Sequence, residues 1–95
     1  MDTPNLEEAR CNIDRINAQI VELLIERMQY VDIVAEYKAA NNLPVGDSKR
    51  EQAILEKVSN LAGKEYDEDI LPVFKAIFKA SCQREERKIK QGKNL

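Results

Sequence analysis

A chain of 95 residues, 43% hydrophobic and 34% charged, is long enough for one globular domain and short enough that its core burial is marginal. A net charge of −2 excludes a general attraction to nucleic acid or to anionic membranes, so any anion must be bound locally. The absence of histidine removes the commonest general base and metal ligand, and the isolated Gly46, Gly63 and Gly92 offer no phosphate-binding loop.

Met1 to Asn5 is a polar lead-in in which Asp2, Thr3 or Asn5 can serve as N-cap, and Glu7 and Glu8 follow where a helix dipole favours acids. From about Leu6 to Ala40, Ile13, Ile16, Ile20, Leu23, Val31 and Val34 recur at three- and four-residue steps with no proline or glycine between them. That spacing predicts one continuous amphipathic helix. Asp14, Gln19, Glu22, Glu26, Asp32 and Glu36 are expected on its solvated face. Such a helix would be roughly 50 Å long, against a radius of gyration of about 12 Å for a compact domain of this size. A second copy of the chain is the simplest partner for a helix that overshoots its own domain.

Asn41, Asn42, Pro44 and Gly46 end the first helix. Ser48, with Glu51 three residues on, has the form of a capping box, and Asp47 is a second possible cap. A second helix then runs to about residue 62, with Ile54, Leu55, Val58 and Leu61 inward and Gly63 closing it. Asp67 or Asp69 can cap a third helix, expected over about 69–90, with Pro72 in its first turn. Ile70, Phe74, Ile77 and Phe78 face inward, and the same face continues through Ser81 and Glu85, where the stripe turns polar. Arg84, Arg87, Lys88, Lys90 and Lys93 form a basic end expected to be solvated. The expected architecture is a single all-α domain, 1–95, of one long, one short and one medium helix.

Cys11 and Cys82 are too few for a disulfide framework and lack metal-site spacing, so both are expected to be reduced and structural. No apolar run reaches membrane-spanning length and no signal-peptide pattern opens the chain, which makes the cytoplasm the expected location and leaves no membrane or nucleic-acid partner in view.

Arg10, Arg27 and Lys38 fall on or beside the apolar stripe of the first helix, where a cation is costly unless an anion meets it. Singly, each could snorkel to water. Arg27 and Lys38, 11 residues apart, return to within about 20° of one face and lie roughly 16 Å apart along the axis, so both can lean toward a ligand between them. Arg10 lies 17 residues before Arg27, about 25 Å away, too far to share one small anion on the same helix. Two first helices packed antiparallel about a two-fold axis would bring Arg10 of one chain toward Arg27 and Lys38 of the other, giving a site shared between chains.

The pattern Arg10-x-x-Ile13, then Leu23-Leu24-x-Glu26-Arg27, then Lys38, then Pro44-Val45-x-Asp47-x-x-Arg50-Glu51, then Ser81-x-x-x-Glu85 resembles the all-helical chorismate mutases over nearly the whole chain. The resemblance implies an intertwined helical homodimer with two shared active sites, converting chorismate to prephenate on the route to phenylalanine and tyrosine, without cofactor or metal. It implies that Arg10 from the partner chain and Arg27 hold the substrate's carboxylates, and that Lys38 reaches the ether oxygen and a nearby carboxylate. Asp47 and Glu51 would address the ring hydroxyl, with Arg50 and Ser81 completing the polar wall.

A Claisen rearrangement needs no proton transfer and no nucleophile, which suits a chain without histidine. Holding the substrate in a reactive geometry and stabilising charge on the breaking ether oxygen are tasks for arginine and lysine. The chain departs from many members of the family where they place a glutamine: here Glu85 stands four residues after Ser81. An ionised carboxylate cannot donate a hydrogen bond. Glu85 is therefore expected to work protonated, kept so by burial, with activity falling as pH rises; the simpler alternative is a surface glutamate paired with Lys79 or Lys88. Ser81 could instead bond back to its own helix, and Phe78 and Cys82 are expected to pack. The rival functions are an isochorismate pyruvate lyase of the same fold and a non-catalytic helical dimerisation or regulatory module.

Overall fold

The structure, a computed structural model, describes residues 5–93. Three helices account for most of them: α1 (Leu6–Ala40), α2 (Ser48–Ala62) and α3 (Asp67–Lys93), with no strand among the described residues. Asn5 caps α1, its side-chain oxygen accepting from the Glu7 N–H at 2.8 Å; the alternatives Asp2 and Thr3 lie outside the described residues. At the other end Asn42 takes a left-handed conformation, φ 52°, and the Leu43 N–H reaches back to the Lys38 carbonyl at 2.8 Å. This six-to-one closure satisfies one of the last carbonyls of α1 and turns the chain.

Asp47, not Ser48, caps α2. Its extended backbone lets Oδ1 accept from the Arg50 N–H at 3.1 Å, while Ser48 becomes the first helical residue. Gly63 terminates α2 at φ 80°, a conformation that L side chains rarely adopt. The turn that follows feeds straight into α3, with the Asp67 N–H bonded to the Gly63 carbonyl at 2.9 Å and the Ile70 N–H to the Tyr66 carbonyl at 3.0 Å. α3 therefore starts two residues before the expected position, and Asp67 and Asp69 lie within its first turn instead of capping it. Pro72 falls in the second turn, where it leaves the exposed Glu68 carbonyl to water. Asp67 has another role: its Oδ2 accepts from the Ser59 hydroxyl at 3.1 Å, tying the start of α3 to α2.

Two compact units divide the chain between Tyr30 and Val31, within α1. In the N-terminal unit the stripe residues Ile13, Ile16, Ile20 and Leu23 are all exposed. In the C-terminal unit α2 packs on α3, burying Val58 and Phe78, with Ile54, Leu55, Ile70, Phe74 and Ile77 half-buried around them. Leu61, expected inward, is 87% exposed, because the covered face of α2 passes from Val58 to half-buried Ala62, four residues on, and leaves Leu61 to one side. The last turns of α1 reach α3 through side chains, Asp32 to Arg84 and Lys38 to Glu85, and between these two positions Ala35, at 1% exposure, is the most deeply buried residue described.

Candidate active site

Positions 74, 78, 81 and 85 on α3 follow a four-three-four rhythm, which keeps them on one helix face. The apolar part of that face ends in Phe78, and the next two positions, Ser81 and Glu85, are equally covered, at 7% and 6% exposure. Burying polar groups at the end of a core stripe is costly and calls for partners. Ser81 Oγ donates to the Ile77 carbonyl at 2.8 Å, the bond back to its own helix that competes with a direct role toward a ligand.

Glu85 finds its partner on α1. Lys38 Nζ stands 2.7 Å from Glu85 Oε1, with both side chains mostly covered. The contact is one of charge and not an aligned hydrogen bond, so Oε1 is buried without a hydrogen-bond partner. Glu85 is thus neither at the surface nor paired with Lys79 or Lys88. Desolvation largely offsets the attraction in such a pair, so its net contribution to stability is small, whereas removing one partner would strand a buried charge. Lys38 also sits in the last turn of α1, where the helix dipole favours a cation.

Cys82 lies between Ser81 and Glu85 and reports on its surroundings. Burial pushes its thiol up from the ordinary value, and the negative charges of Glu51 and Glu85 push further, opposed by Lys38. A thiol held protonated in this way is a poor nucleophile, consistent with packing. Glu51, half-buried on the first turn of α2, is near enough to Cys82 for its charge to be felt there. The C-terminal unit thus holds Lys38, Glu51, Ser81 and Glu85, of which Lys38 and Glu85 are in direct contact and Ser81 shares the helix face of Glu85.

The remaining candidates are placed differently. Asp47 and Arg50 are exposed at the start of α2, where the Asp47 side chain is engaged as the cap. Arg10 and Arg27 belong to the N-terminal unit, the first exposed and the second half-buried. A groove between α2 and α3, lined by Gln52, Leu55, Ser59, Leu71 and Lys75 among others, contains none of the eight candidates. Among the described residues no group of three or more cysteines, aspartates or glutamates is arranged to hold a metal, and no helix is long and apolar enough to cross a membrane.

One pair escaped sequence reasoning. Asp32, expected on the solvated face, and Arg84, expected in a solvated basic end, form a two-pronged ion pair: Arg84 Nε donates to Oδ1 at 2.6 Å and Nη2 to Oδ2 at 2.7 Å. Lys88 Nζ adds a longer contact to Oδ2 at 3.8 Å. The only local signal was the three-residue spacing of Asp32, Ala35 and Lys38, which sets them on one side of α1.

Comparison with known proteins places these features in context. The family model described as chorismate mutase type II matches residues 9–86. The bifunctional chorismate mutase/prephenate dehydratase of Aquifex aeolicus is 36% identical over 90 residues, covering 90% of this chain and 25% of that one. Its counterpart in Buchnera aphidicola subsp. Schizaphis graminum is 44% identical over 55 residues, 58% of this chain and 14% of that protein. The chorismate mutase of Methanocaldococcus jannaschii is 36% identical over 64 residues, 67% of this chain and 64% of that protein. The chain thus spans between about a seventh and two thirds of the length of these curated relatives. No solved structure gives a significant match.

Proposed function

Because the chain belongs to the chorismate mutase type II family, we propose that it rearranges chorismate to prephenate as a homodimer, with each active site drawn from both chains. The observation that carries this reading is the buried Lys38–Glu85 pair, a cation from α1 set against a carboxyl group from α3 with one oxygen lacking a hydrogen bond. Such an arrangement has no use for a nucleophile or an imidazole. It suits a reaction whose one electronic demand is charge building on an ether oxygen.

In this proposal the C–O bond of the enolpyruvyl ether breaks as the new C–C bond forms within one molecule, so no atom or proton is exchanged. Lys38 meets the ether oxygen and a neighbouring carboxylate, stabilising charge that is larger in the transition state than in the substrate. In the free protein Glu85 is the anion that meets Lys38; once Lys38 is turned to the substrate, Glu85 would act in its protonated form, its hydroxyl donating a hydrogen bond to the same oxygen, because its carboxylate form would repel the developing charge. Arg27 and the partner chain's copy of Arg10 grip the carboxylates, which favours the folded-over conformer needed for reaction. Glu51 and Asp47 receive the ring hydroxyl, and Arg50 and Ser81 close the polar wall.

The exposed stripe of Ile13, Ile16, Ile20 and Leu23 supports a second copy as the cover for α1. The same dimer would supply the Arg10 that cannot reach along its own helix. The cytoplasm is the compartment proposed for this chemistry.

Incubation of the purified protein with chorismate across roughly pH 5 to 9, following loss of substrate absorbance and identifying the product, tests the proposal. Prephenate is expected, with turnover declining as pH rises and the decline flattened in Glu85→Gln. A product of pyruvate from isochorismate, with chorismate untouched, would replace the mutase by a lyase. No turnover of either would leave a helical dimerisation module.

A further inference from the structure

The contacts between α1 and α3 in the C-terminal unit are made by charged side chains on either side of Ala35. Asp32 meets Arg84 and Lys88, Ala35 is fully covered, and Lys38 meets Glu85. Asp32 and Lys38, six residues apart on α1, thus meet the adjacent positions 84 and 85, so the contacts form a short seam centred on one turn of α3. Ala35 has only a methyl group to offer, so it specifies little about how one helix slides along the other.

The charges do specify it. α1 presents a negative group at 32 and a positive one at 38, and α3 presents positive groups at 84 and 88 with a negative one at 85. The exchanged pairing would set Asp32 against Glu85 and Lys38 against Arg84, bringing like charges together at both positions. Of the two observed contacts, Lys38 to Glu85 is not an aligned hydrogen bond, whereas Arg84 grips Asp32 with two parallel ones. A guanidinium fork on a carboxylate fixes both distance and orientation, which a lysine contact alone does not.

We propose that Asp32 and Arg84 form a positioning pair, whose double hydrogen bond sets the register of α1 on α3 and thereby holds the Lys38 ammonium against Glu85. Neither residue touches substrate. Their effect on turnover rests on the mutase activity proposed above, and it acts through Lys38. A misplacement of about 1 Å at a reacting group costs on the order of a hundredfold in rate, so a loosened register should cost about tenfold.

The test uses the full chain with Asp32→Asn, Arg84→Lys, the exchange Asp32→Arg with Arg84→Asp, and its two single parts. Ser59→Ala, which removes a hydrogen bond of the α2–α3 contact and no group of the seam, serves as control. Two quantities are read: kcat and KM with chorismate, and the rate at which acetic anhydride labels Lys38, followed by mass spectrometry. Asp32→Asn is expected to lower kcat about tenfold with KM within about threefold, and to speed labelling of Lys38 several-fold. Ser59→Ala should lower thermal stability while moving neither quantity, and the exchanged pair should recover most of the kcat lost by its worse single part. Wild-type kcat and wild-type labelling in Asp32→Asn would overturn the proposal, as would an exchanged pair no better than its parts. If the charge reversals do not fold, Arg84→Lys decides. It keeps the charge and loses the fork, so faster labelling supports the pair and unchanged labelling overturns it. If the unsubstituted protein leaves chorismate intact, the mutase reading fails, and the labelling alone then judges Asp32 and Arg84.

Discussion

Asp32 remains ionised further into acid than a free aspartate. The hydrogen bonds from Arg84 hold its carboxyl below the ordinary 3.8, against the opposing effect of burial and with help from the charges of Arg84 and Lys88. The same contact raises the Arg84 guanidinium above its ordinary value. Because the folded protein binds this proton more weakly than the unfolded chain, the contribution of the pair is complete above about pH 4 and is lost as pH falls through the depressed value. Acid unfolding followed by circular dichroism should therefore be less steep below about pH 4 in Asp32→Asn than in the unsubstituted protein. Parallel curves would mean that Asp32 gains nothing from Arg84.

At the scale of single elements, Asp47 begins α2 with a side chain that the resemblance assigns to substrate. As a cap it is worth about 1 kcal/mol, most of which asparagine retains and alanine does not. Urea unfolding should show that loss in Asp47→Ala and little change in Asp47→Asn; equal losses would assign the effect to charge and not to capping. Caps and turns of this kind were largely legible in the sequence, because they depend on residues within four positions of one another. Ser48 misled because it fits a capping box as well as Asp47 fits a simple cap, and only the extended backbone at 47 decides. The start of α3 moved to Asp67 because the Gly63–Tyr66 turn hands its carbonyls directly to the helix. Ser81 and Glu85 were legible as a polar break in an apolar stripe. The partner of Glu85 and the pairing of Asp32 with Arg84 were not, since 47 and 52 residues separate the members and no local pattern joins them.

For the molecule as a whole, the exposed stripe of the N-terminal unit and the proposed sharing of each site between two chains lead to one expectation. Chains carrying Arg10→Ala and chains carrying Lys38→Ala should each be inactive alone. Refolded together in equal amounts, they should regain about a quarter of the unsubstituted activity, since half the dimers would be mixed and each mixed dimer would hold one intact site. Activity measured before and after mixing checks this. Continued inactivity of the mixture would place Arg10 and its site within a single chain.

Lys38 has a second attachment, through its main chain, to the turn that follows it: the Leu43 N–H closes on its carbonyl. Surface connections usually accept extra residues at little thermodynamic cost. This one begins on the residue whose side chain faces Glu85, so a lengthened or shortened Asn41–Asp47 segment would be transmitted to the ammonium itself. Divergence in the family to which this chain belongs should accordingly accumulate more readily in the connection between α2 and α3 than in the one between α1 and α2.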